Sequence, residues 1–419
     1  MAKRFIPLKK VTPPSKDDVE IVDKMDDLAW YVPRKTKHNK THNILSRSKM
    51  TSVETQTLYF MDPEMRYSGF VQMLYSNVMG GIYKGFQINF KIFSPKKELE
   101  SQYGIWESVK LDSTVSFQDD ELTVKGANVT FQFRDPKNVS KKITGEEEEG
   151  DDDTQHTTFI ANLKIKINDP SKGLMMDLRC SLGEGFKISP DGCSFYLDKS
   201  TPDEQSTIIN NVHSFELKHR YMRHQFHPVS QIFGIIKYNN GAEKKPQLLK
   251  LQHIPMIYLD AVQGILPNKA AKRWNFLYFQ SKNYKILAIE YLTIPKFDST
   301  KVTIWSICEK DEIKYIGSDI NNDNIIKFNS VEKDKENGWE YPTEMTFNFS
   351  DNNNNEITPF HVEKLNLVNR YDILGELPSI VKSLAKSIAN IKPYLYQYCQ
   401  PCKYKDEEGV SIIESTFIS

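Results

Sequence analysis

The sequence has no long hydrophobic run and no excess of either charge. None of its 419 residues lies in a stretch that approaches about eighteen consecutive apolar residues, the length a membrane-spanning helix needs. Lysine plus arginine number 55, and so do aspartate plus glutamate, so a groove that follows nucleic-acid phosphates is not indicated. The sequence therefore argues against a helical membrane protein and against a nucleic-acid-binding protein.

Cysteine is scarce, and the motifs of the common catalytic classes are missing. The five cysteines are an odd number, and residues 1–10 are basic without the apolar core of a signal peptide. Both features predict reduced thiols and a cytoplasmic location. No dinucleotide-binding fingerprint, Walker loop, nucleophile elbow or His-Glu-x-x-His occurs. We therefore expect no cofactor and no enzymatic activity.

Two pairs of potential metal ligands occur, and neither completes a site. His224 and His227 could offer two imidazoles, but no acidic or thiol partner with recognisable spacing accompanies them. Cys399 and Cys402 have the spacing of a redox motif or of half a zinc site, without a second ligand pair. We expect a structural junction at 223–228, two inert thiols and no bound metal.

What the sequence does have is aromatic residues in strand-like patterns. Trp274, Phe276 and Tyr278 alternate with other side chains, and a polar break then leads into an apolar run at 286–292. Aromatic and β-branched runs separated by a short polar turn predict a β-hairpin. Both of its faces are largely apolar, so it needs a core on one side and a partner or a filled cavity on the other.

The same pattern occurs earlier in the chain. Leu-Tyr-Phe stands at 58–60 and again at 277–279, and a polar break, an apolar run and a third strand follow in each case. Three echoes in the same order favour two copies of one β-rich unit. Chance similarity between aromatic strands is the alternative. Because 419 residues exceed what one hydrophobic core usually supports, two domains are expected on length as well.

The predicted division of the chain has four parts. They are a flexible N-terminal arm at 1–25, a first domain at 26–220 with an acidic loop at 146–153, a second domain at 221–400, and a tail at 401–419. One helix is predicted late in the second domain, where Pro378 suits a first turn and an apolar stripe continues to Ile391. We expect it to pack on a wall of strands; contact with a membrane is the alternative.

Several ordered blocks of sequence are similar to one family. They include Arg-His-x-Phe-x-Pro at 223–228, Ala-Ala-x-x-Trp-Asn-Phe at 270–276 and Gly-Glu-Leu-Pro at 375–378. Through such blocks the chain, over about 26–400, resembles the fungal survival-factor family, whose members support survival under oxidative stress. The resemblance implies an all-β fold of two tandem lipocalin-like β-barrels with a short C-terminal helix.

The resemblance also implies a function, that of a soluble carrier shielding a sphingolipid such as ceramide between endoplasmic reticulum and Golgi membranes. The implied partners are a long-chain lipid and, transiently, a membrane surface, with no nucleic acid. The implied location is the cytoplasm, including the periphery of those membranes. The family's carrier engages membranes through an amphipathic N-terminal helix, and this chain departs from it because Pro7, Pro13 and Pro14 interrupt any such helix.

A β-barrel of about eight strands can enclose one small ligand. The side chains predicted to line such a cavity are Trp274, Phe276, Tyr278, Glu290 and Trp305 in the second barrel, and Phe70 and Phe90 in the first. Glu290 would orient a ligand hydroxyl or amide if it faces the cavity, and is an edge charge if it faces solvent. The alternative for the aromatic residues is ordinary core. The alternative functions are a stress-response scaffold with filled barrels and a barrel enzyme distantly similar to carotenoid hydratases.

Overall fold

Alternating apolar and polar side chains fold the chain into antiparallel β-sheets. The computed structural model describes residues 4–22, 52–78, 83–99, 105–110, 115–118, 121–124, 129–134, 159–170, 173–197, 220–239, 247–350, 356–373 and 392–418. These residues form sheets of 15, 7 and 3 strands. The acidic loop and the C-terminal helix, both predicted from the sequence, lie outside them. Within them, no helix has the length and apolar character needed to cross a membrane.

The 15-stranded sheet surrounds its own core as an open barrel, whose end strands do not pair with each other in the described residues, and we call it the N-terminal barrel. Its strands are β1 (Phe5–Ile6), β2 (Val19–Val22), β3 (Ser52–Met61), β4 (Ser68–Val78), β5 (Tyr83–Phe93), β6 (Ile105–Lys110), β7 (Val115–Gln118), β8 (Glu121–Val124), β9 (Val129–Arg134), β10 (Ala161–Asp169), β11 (Leu174–Leu182), β12 (Gly185–Ile188), β13 (Cys193–Tyr196), β14 (Arg220–Tyr238) and β15 (Gln247–Gln263). The main path is β6-β5-β4-β3-β15-β14-β11-β10-β9-β8-β7. Its interior is formed by side chains such as Val71, Phe90 and Leu178.

The remaining strands form a second unit, which we call the C-terminal barrel. A single-turn helix, α1 (Pro267–Ala270), leads into it, and its strands are β16 (Ala271–Ser281), β17 (Tyr284–Thr293), β18 (Lys301–Glu309), β19 (Glu312–Ile320), β20 (Ile326–Lys333), β21 (Glu340–Ser350), β22 (Glu356–Val362), β23 (Leu367–Asp372), β24 (Tyr394–Tyr404) and β25 (Glu407–Phe417). Seven strands follow the path β19-β18-β17-β16-β25-β24-β23, and β20-β21-β22 form the small sheet. The small sheet packs on the larger one, where the rings of Phe279 and Phe360 lie 4.9 Å apart.

The two barrels have matching strand orders. β3 lies between β4 and β15, its own barrel's last long strand, and β16 lies between β17 and β25 in the same way. The repeated Leu-Tyr-Phe also matches in orientation. Tyr59 and Tyr278 both join the core between the barrels, whereas the flanking leucine and phenylalanine of each copy point into their own barrel. Topology and side-chain facing therefore both favour a duplicated unit.

The strand pairing corrects three of the predicted boundaries. β14 and β15 pair with β11 and β3, so the first sheet continues past 220/221 and the two sheets divide at 264–270. Residues 407–417, expected in a tail, form β25 between β16 and β24, because Val410, Ile412 and Ile413 bury apolar side chains. Residues 4–22, expected in a flexible arm, pair with the N-terminal barrel through β1 and β2.

Residues 4–22 connect the two barrels, and we call them the N-terminal strap. β1 pairs with β13, and the rings of Phe5 and Tyr196 lie 4.9 Å apart. Further along, the Val11 N–H donates to the Ser318 carbonyl of β19 at 3.1 Å, and the Ser318 N–H donates back to the Val11 carbonyl at 2.9 Å. The strap therefore forms backbone hydrogen bonds with both barrels.

The outer faces of the barrels pack against each other in a shared inter-barrel core. Side chains of both units form it, including Tyr59, Phe70, Phe226, Phe276, Tyr278, Tyr291 and Phe297. The rings of Tyr59 and Phe276 stack at 4.5 Å, and the hydroxyls of Ser194 and Tyr291 are 2.7 Å apart. Because strands expose alternate residues on opposite faces, each barrel can fill its own interior and this interface at once.

Candidate ligand-binding site

Most of the N-terminal barrel's interior is apolar, but six polar side chains share one part of its wall. We call them the interior polar patch, and they are Gln56 of β3, Tyr258 and Asp260 of β15, and Arg223, Gln225 and His227 of β14. All six are at most 2% exposed. In the strand register Asp260 stands opposite both Gln56 and Gln225, and Tyr258 stands opposite His227. Residues two apart on a strand face the same side, so the six groups adjoin one another.

A chain of hydrogen bonds runs along β14. Arg223 donates to Asp260 Oδ2 at 3.1 Å and to Gln225 Oε1 at 2.8 Å. Gln225 Nε2 lies 3.2 Å from His227 Nε2, and His227 Nδ1 lies 2.8 Å from the Gly183 carbonyl oxygen. A carbonyl can only accept, which assigns the His227 proton to Nδ1 and leaves Nε2 to accept from Gln225. The side chains of this half of the patch therefore hydrogen-bond to one another and to the backbone.

The close approach of the His227 ring requires a glycine on the neighbouring strand. A Cβ placed on Gly185 would come within 2.3 Å of that ring. Burial, followed by the charge of Arg223, lowers the pKa of His227 to about 4, although its hydrogen bond to Gly183 opposes the shift. The imidazole is therefore neutral at neutral pH and acts as a fixed part of the wall.

Ionic groups continue the patch at the Arg223 end. Asp191 Oδ2 lies 3.5 Å from Arg223 Nε, and Lys187 Nζ lies 2.7 Å from Asp191 Oδ1. Burial raises the pKa of Asp260 above its usual range, even though Arg223 opposes the shift. Two carboxylates thus share one guanidinium, and the arginine is held in place from both sides.

The other half of the patch has unused hydrogen-bonding capacity. Among the described residues, Gln56 Oε1, Gln56 Nε2, the Tyr258 hydroxyl and Asp260 Oδ1 have no hydrogen-bond partner. Buried polar atoms in folded proteins nearly always have one, supplied by protein, ordered water or ligand. Four such atoms on two adjacent strands make this part of the wall the candidate site for the polar group of a ligand.

The C-terminal barrel contains a second buried polar cluster, centred on Glu290. Asn275 donates to Glu290 Oε1 at 3.0 Å, Arg273 approaches the same oxygen at 3.4 Å, and Thr303 donates to Oε2 at 3.4 Å. Ser415 donates in turn to Asn275 Oδ1 at 3.0 Å. Burial raises the pKa of Glu290, although neighbouring cations and hydrogen bonds oppose the shift. Glu290 faces the interior rather than solvent, and its contacts there are already satisfied.

The other predicted lining residues fall in two different environments. Phe90 lies inside the N-terminal barrel and Trp305 inside the C-terminal barrel. Trp305 packs 4.8 Å from Phe349, and its indole lies so close to Gly317 that a Cβ there would be 2.3 Å away. Trp305 therefore fills core space.

Four predicted lining residues do not face a barrel interior. Phe70, Phe276 and Tyr278 belong to the inter-barrel core, and Trp274 packs against it half-buried. Along their strands these residues alternate with others, such as Leu277, that do point inward. The structure corrects the prediction for these four, because both faces of the strands are apolar and the sequence favours neither.

The histidine and cysteine pairs are each split between two faces. His227 points into the N-terminal barrel, whereas His224 lies in the interface, where its ring stacks 5.8 Å from Tyr291. Cys399 joins the inter-barrel core and Cys402 packs against the interior of the C-terminal barrel. Residues three apart on a strand point in opposite directions. In the part of the chain that the structure describes, no three potential ligands gather into a metal site.

Sequence reasoning missed the interior polar patch, although part of its signal is readable. Arg223, Gln225 and His227 recur at every second position, the pattern of a polar stripe on one strand face. Gln56 and Asp260 carry no such mark, because only the pairing of β3 with β15 brings them together.

Comparisons with known proteins place the chain in a family. A model of the Svf1 family matches residues 7–419. The chain belongs to the Svf1 family. An SVF1-like protein of Saccharomyces cerevisiae, YDR222W, is 41% identical over 442 aligned positions, which cover 99% of this chain and 98% of that protein. The ceramide-binding protein SVF1 of Debaryomyces hansenii is 29% identical over 378, covering 88% of this chain and 85% of that protein.

The fold is also found among solved structures. The crystal structure of CghA with Sch210972 superposes with a TM-score of 0.51 at 9% identity, covering 88% of this chain and 89% of that one. At such low identity the similarity concerns the fold alone. The expected all-β, lipocalin-like class is confirmed.

Proposed function

We propose that this protein binds a long-chain sphingolipid such as ceramide and shields it from water. The observation that carries the proposal is the amphiphilic interior of the N-terminal barrel. Apolar side chains such as Val71, Ile165 and Leu178 line it, and one patch of its wall offers buried polar atoms that have no partner among the described residues. Each methylene removed from water contributes about 0.8 kcal/mol, so an apolar wall suits an acyl chain. The ceramide-binding names of several relatives support the same ligand class.

The proposal is for a carrier without chemistry. Acid–base catalysis on a ligand would call for a pair of carboxyl groups open to it. The described partners of Glu290 are an amide, a hydroxyl and a guanidinium, and Arg223 occupies Oδ2 of Asp260, which leaves only its Oδ1 to accept a hydrogen bond from a ligand. We propose a cytoplasmic protein that meets membranes only transiently, to load and unload lipid.

Lipid extraction tests this function directly. The purified protein is incubated with phosphatidylcholine vesicles that contain ceramide, separated from them, and analysed by native mass spectrometry and by lipid extraction. We expect ceramide to remain bound and to be recovered with its mass unchanged. Protein that emerges without ceramide would contradict lipid binding, and a chemically altered lipid would favour an enzyme instead.

A further inference from the structure

We propose that the interior polar patch of the N-terminal barrel is the headgroup site, where Gln56, Tyr258 and Asp260 bind an uncharged headgroup bearing an amide and a hydroxyl. This inference rests on the proposed function. It adds which barrel holds the polar end of the lipid, through which side chains, and which headgroups are accepted.

The three side chains lie close enough to contact one headgroup. Gln56 and Asp260 are directly opposite on β3 and β15, and opposed residues have Cβ atoms about 5 Å apart. Tyr258 lies two positions from Asp260 on the same face, which is about 7 Å along the strand. The ring of His227 packs edge-on against Tyr258 at 5.6 Å and limits where its hydroxyl can lie.

The unpartnered atoms match an amide and a hydroxyl in type. A glutamine side chain offers two N–H donors and a carbonyl acceptor, a carboxylate oxygen only accepts, and a tyrosine hydroxyl does either. A ligand carbonyl can accept from Gln56 Nε2, and a ligand N–H or O–H can donate to Gln56 Oε1 or to Asp260 Oδ1. Leaving such groups buried and unpaired destabilises a protein. A headgroup that satisfies several of them removes that penalty.

The engaged half of the patch gives the site its charge preference. Arg223 is bridged by Asp260 and Asp191, and Lys187 is paired with Asp191. Glu54 adds another buried carboxyl on the same face of β3 as Gln56. The three carboxyl groups described here thus outnumber the two cations, so a phosphate-bearing headgroup would meet repulsion in a medium that screens it poorly.

Two conservative variants and one matched control test the inference. Y258F and Q56M remove the proposed contacts with little change in volume. Y398F is the control, because the Tyr398 hydroxyl is also buried without a described partner but lies inside the C-terminal barrel. Each protein is incubated with phosphatidylcholine vesicles containing ceramide, and the bound ceramide is quantified. We expect roughly fivefold weaker retention for Y258F and for Q56M, the loss that one hydrogen bond of about 1 kcal/mol produces, and unchanged retention for Y398F.

Stability separates loss of a contact from loss of the fold. Replacing an unpartnered buried amide with an apolar side chain removes a desolvation penalty, so we expect Q56M without lipid to melt no lower than the unsubstituted protein. In a parallel incubation with ceramide 1-phosphate, we expect the unsubstituted protein to retain several-fold less lipid than it does of ceramide.

Other outcomes overturn the inference in distinguishable ways. Equal ceramide retention by Y258F, Q56M and the unsubstituted protein would mean that water alone satisfies these atoms, and the proposed function would stand without this site. Loss confined to Y398F would move the headgroup to the C-terminal barrel. Equal retention of ceramide 1-phosphate would refute the charge preference. An unsubstituted protein that retains no ceramide would instead overturn the proposed function itself.

Discussion

Replacing His224 with phenylalanine should make the protein less sensitive to acid. His224 is 4% exposed, stacks against Phe226 and Tyr291 at 6.2 and 5.8 Å, and has no described partner for its Nδ1. Burial, followed by the charge of Arg223, lowers its pKa from 6.5 to about 4. Phenylalanine keeps the aromatic contacts and removes the titrating group.

The expected change in unfolding free energy follows from that pKa. Between pH 6.5 and 4 the unfolded chain binds a proton at this histidine and the folded protein does not, so acid stabilises the unfolded state. Each pH unit in this range is worth about 1.4 kcal/mol. Relative to the unsubstituted protein, H224F should therefore gain about 2 kcal/mol in unfolding free energy on going from pH 7.5 to pH 5. His227 titrates similarly but is present in both proteins, so its contribution cancels.

Denaturant unfolding at a series of pH values measures this difference. The control is I257V, because Ile257 lies in the same inter-barrel core and carries no titrating group, so its substitution should change the unfolding free energy by a nearly constant amount across the range. If the difference in unfolding free energy between H224F and the unsubstituted protein stays constant from pH 7.5 to 5, the inference that His224 is neutral in the folded protein is refuted. A difference of the opposite sign would show that the folded protein carries this histidine protonated.

Three further substitutions test other parts of the structure. Burial raises the pKa of Glu414 to about 7, so this carboxyl group binds its proton more tightly in the folded state. Stability should therefore fall as pH rises from 4.5 to 7. E414Q should remove that fall, which is measured as the change in urea midpoint between pH 5 and pH 8. F276A deletes the stack with Tyr59 and should lower the unfolding free energy by about 3–5 kcal/mol; the folded protein should retain ceramide as before, and a selective loss of retention would return Phe276 to the ligand site. G185A places a methyl against the His227 ring and should lower both the melting temperature and ceramide retention, whereas an unchanged melting temperature would show that the ring has room to move.

The class of fold and the duplication could be predicted because they depend on periodicity within single strands. Leu-Tyr-Phe at 58–60 and at 277–279 marks equivalent strands, and both tyrosines indeed face the same interface. Which face of a strand points into its own barrel could not be predicted. Phe276 and Leu277 are equally suited to a core, and only the packing of two barrels decides that Phe276 contacts Tyr59 while Leu277 turns inward.

The candidate site was missed for a related reason. Its side chains come from positions far apart in the chain, and strand register, which brings Gln56 opposite Asp260, cannot be derived from either strand alone. The predicted boundaries at 220 and 401 fall at the first residue of β14 and inside β24, where polar residues interrupt the apolar run. In β14 those polar residues are the wall of the site, and in β25 they alternate with buried ones.

The N-terminal strap has a consequence for any encounter with a bilayer. Its Phe5, Leu8 and Val11 are buried in the seam between the barrels, and Val11 completes a bridge to β19. These apolar side chains could contact a lipid surface only after the strap had dissociated from both barrels. Membrane binding and packing between the barrels would then require the same few residues. Any change that weakens the contact between the barrels would therefore also expose these apolar side chains.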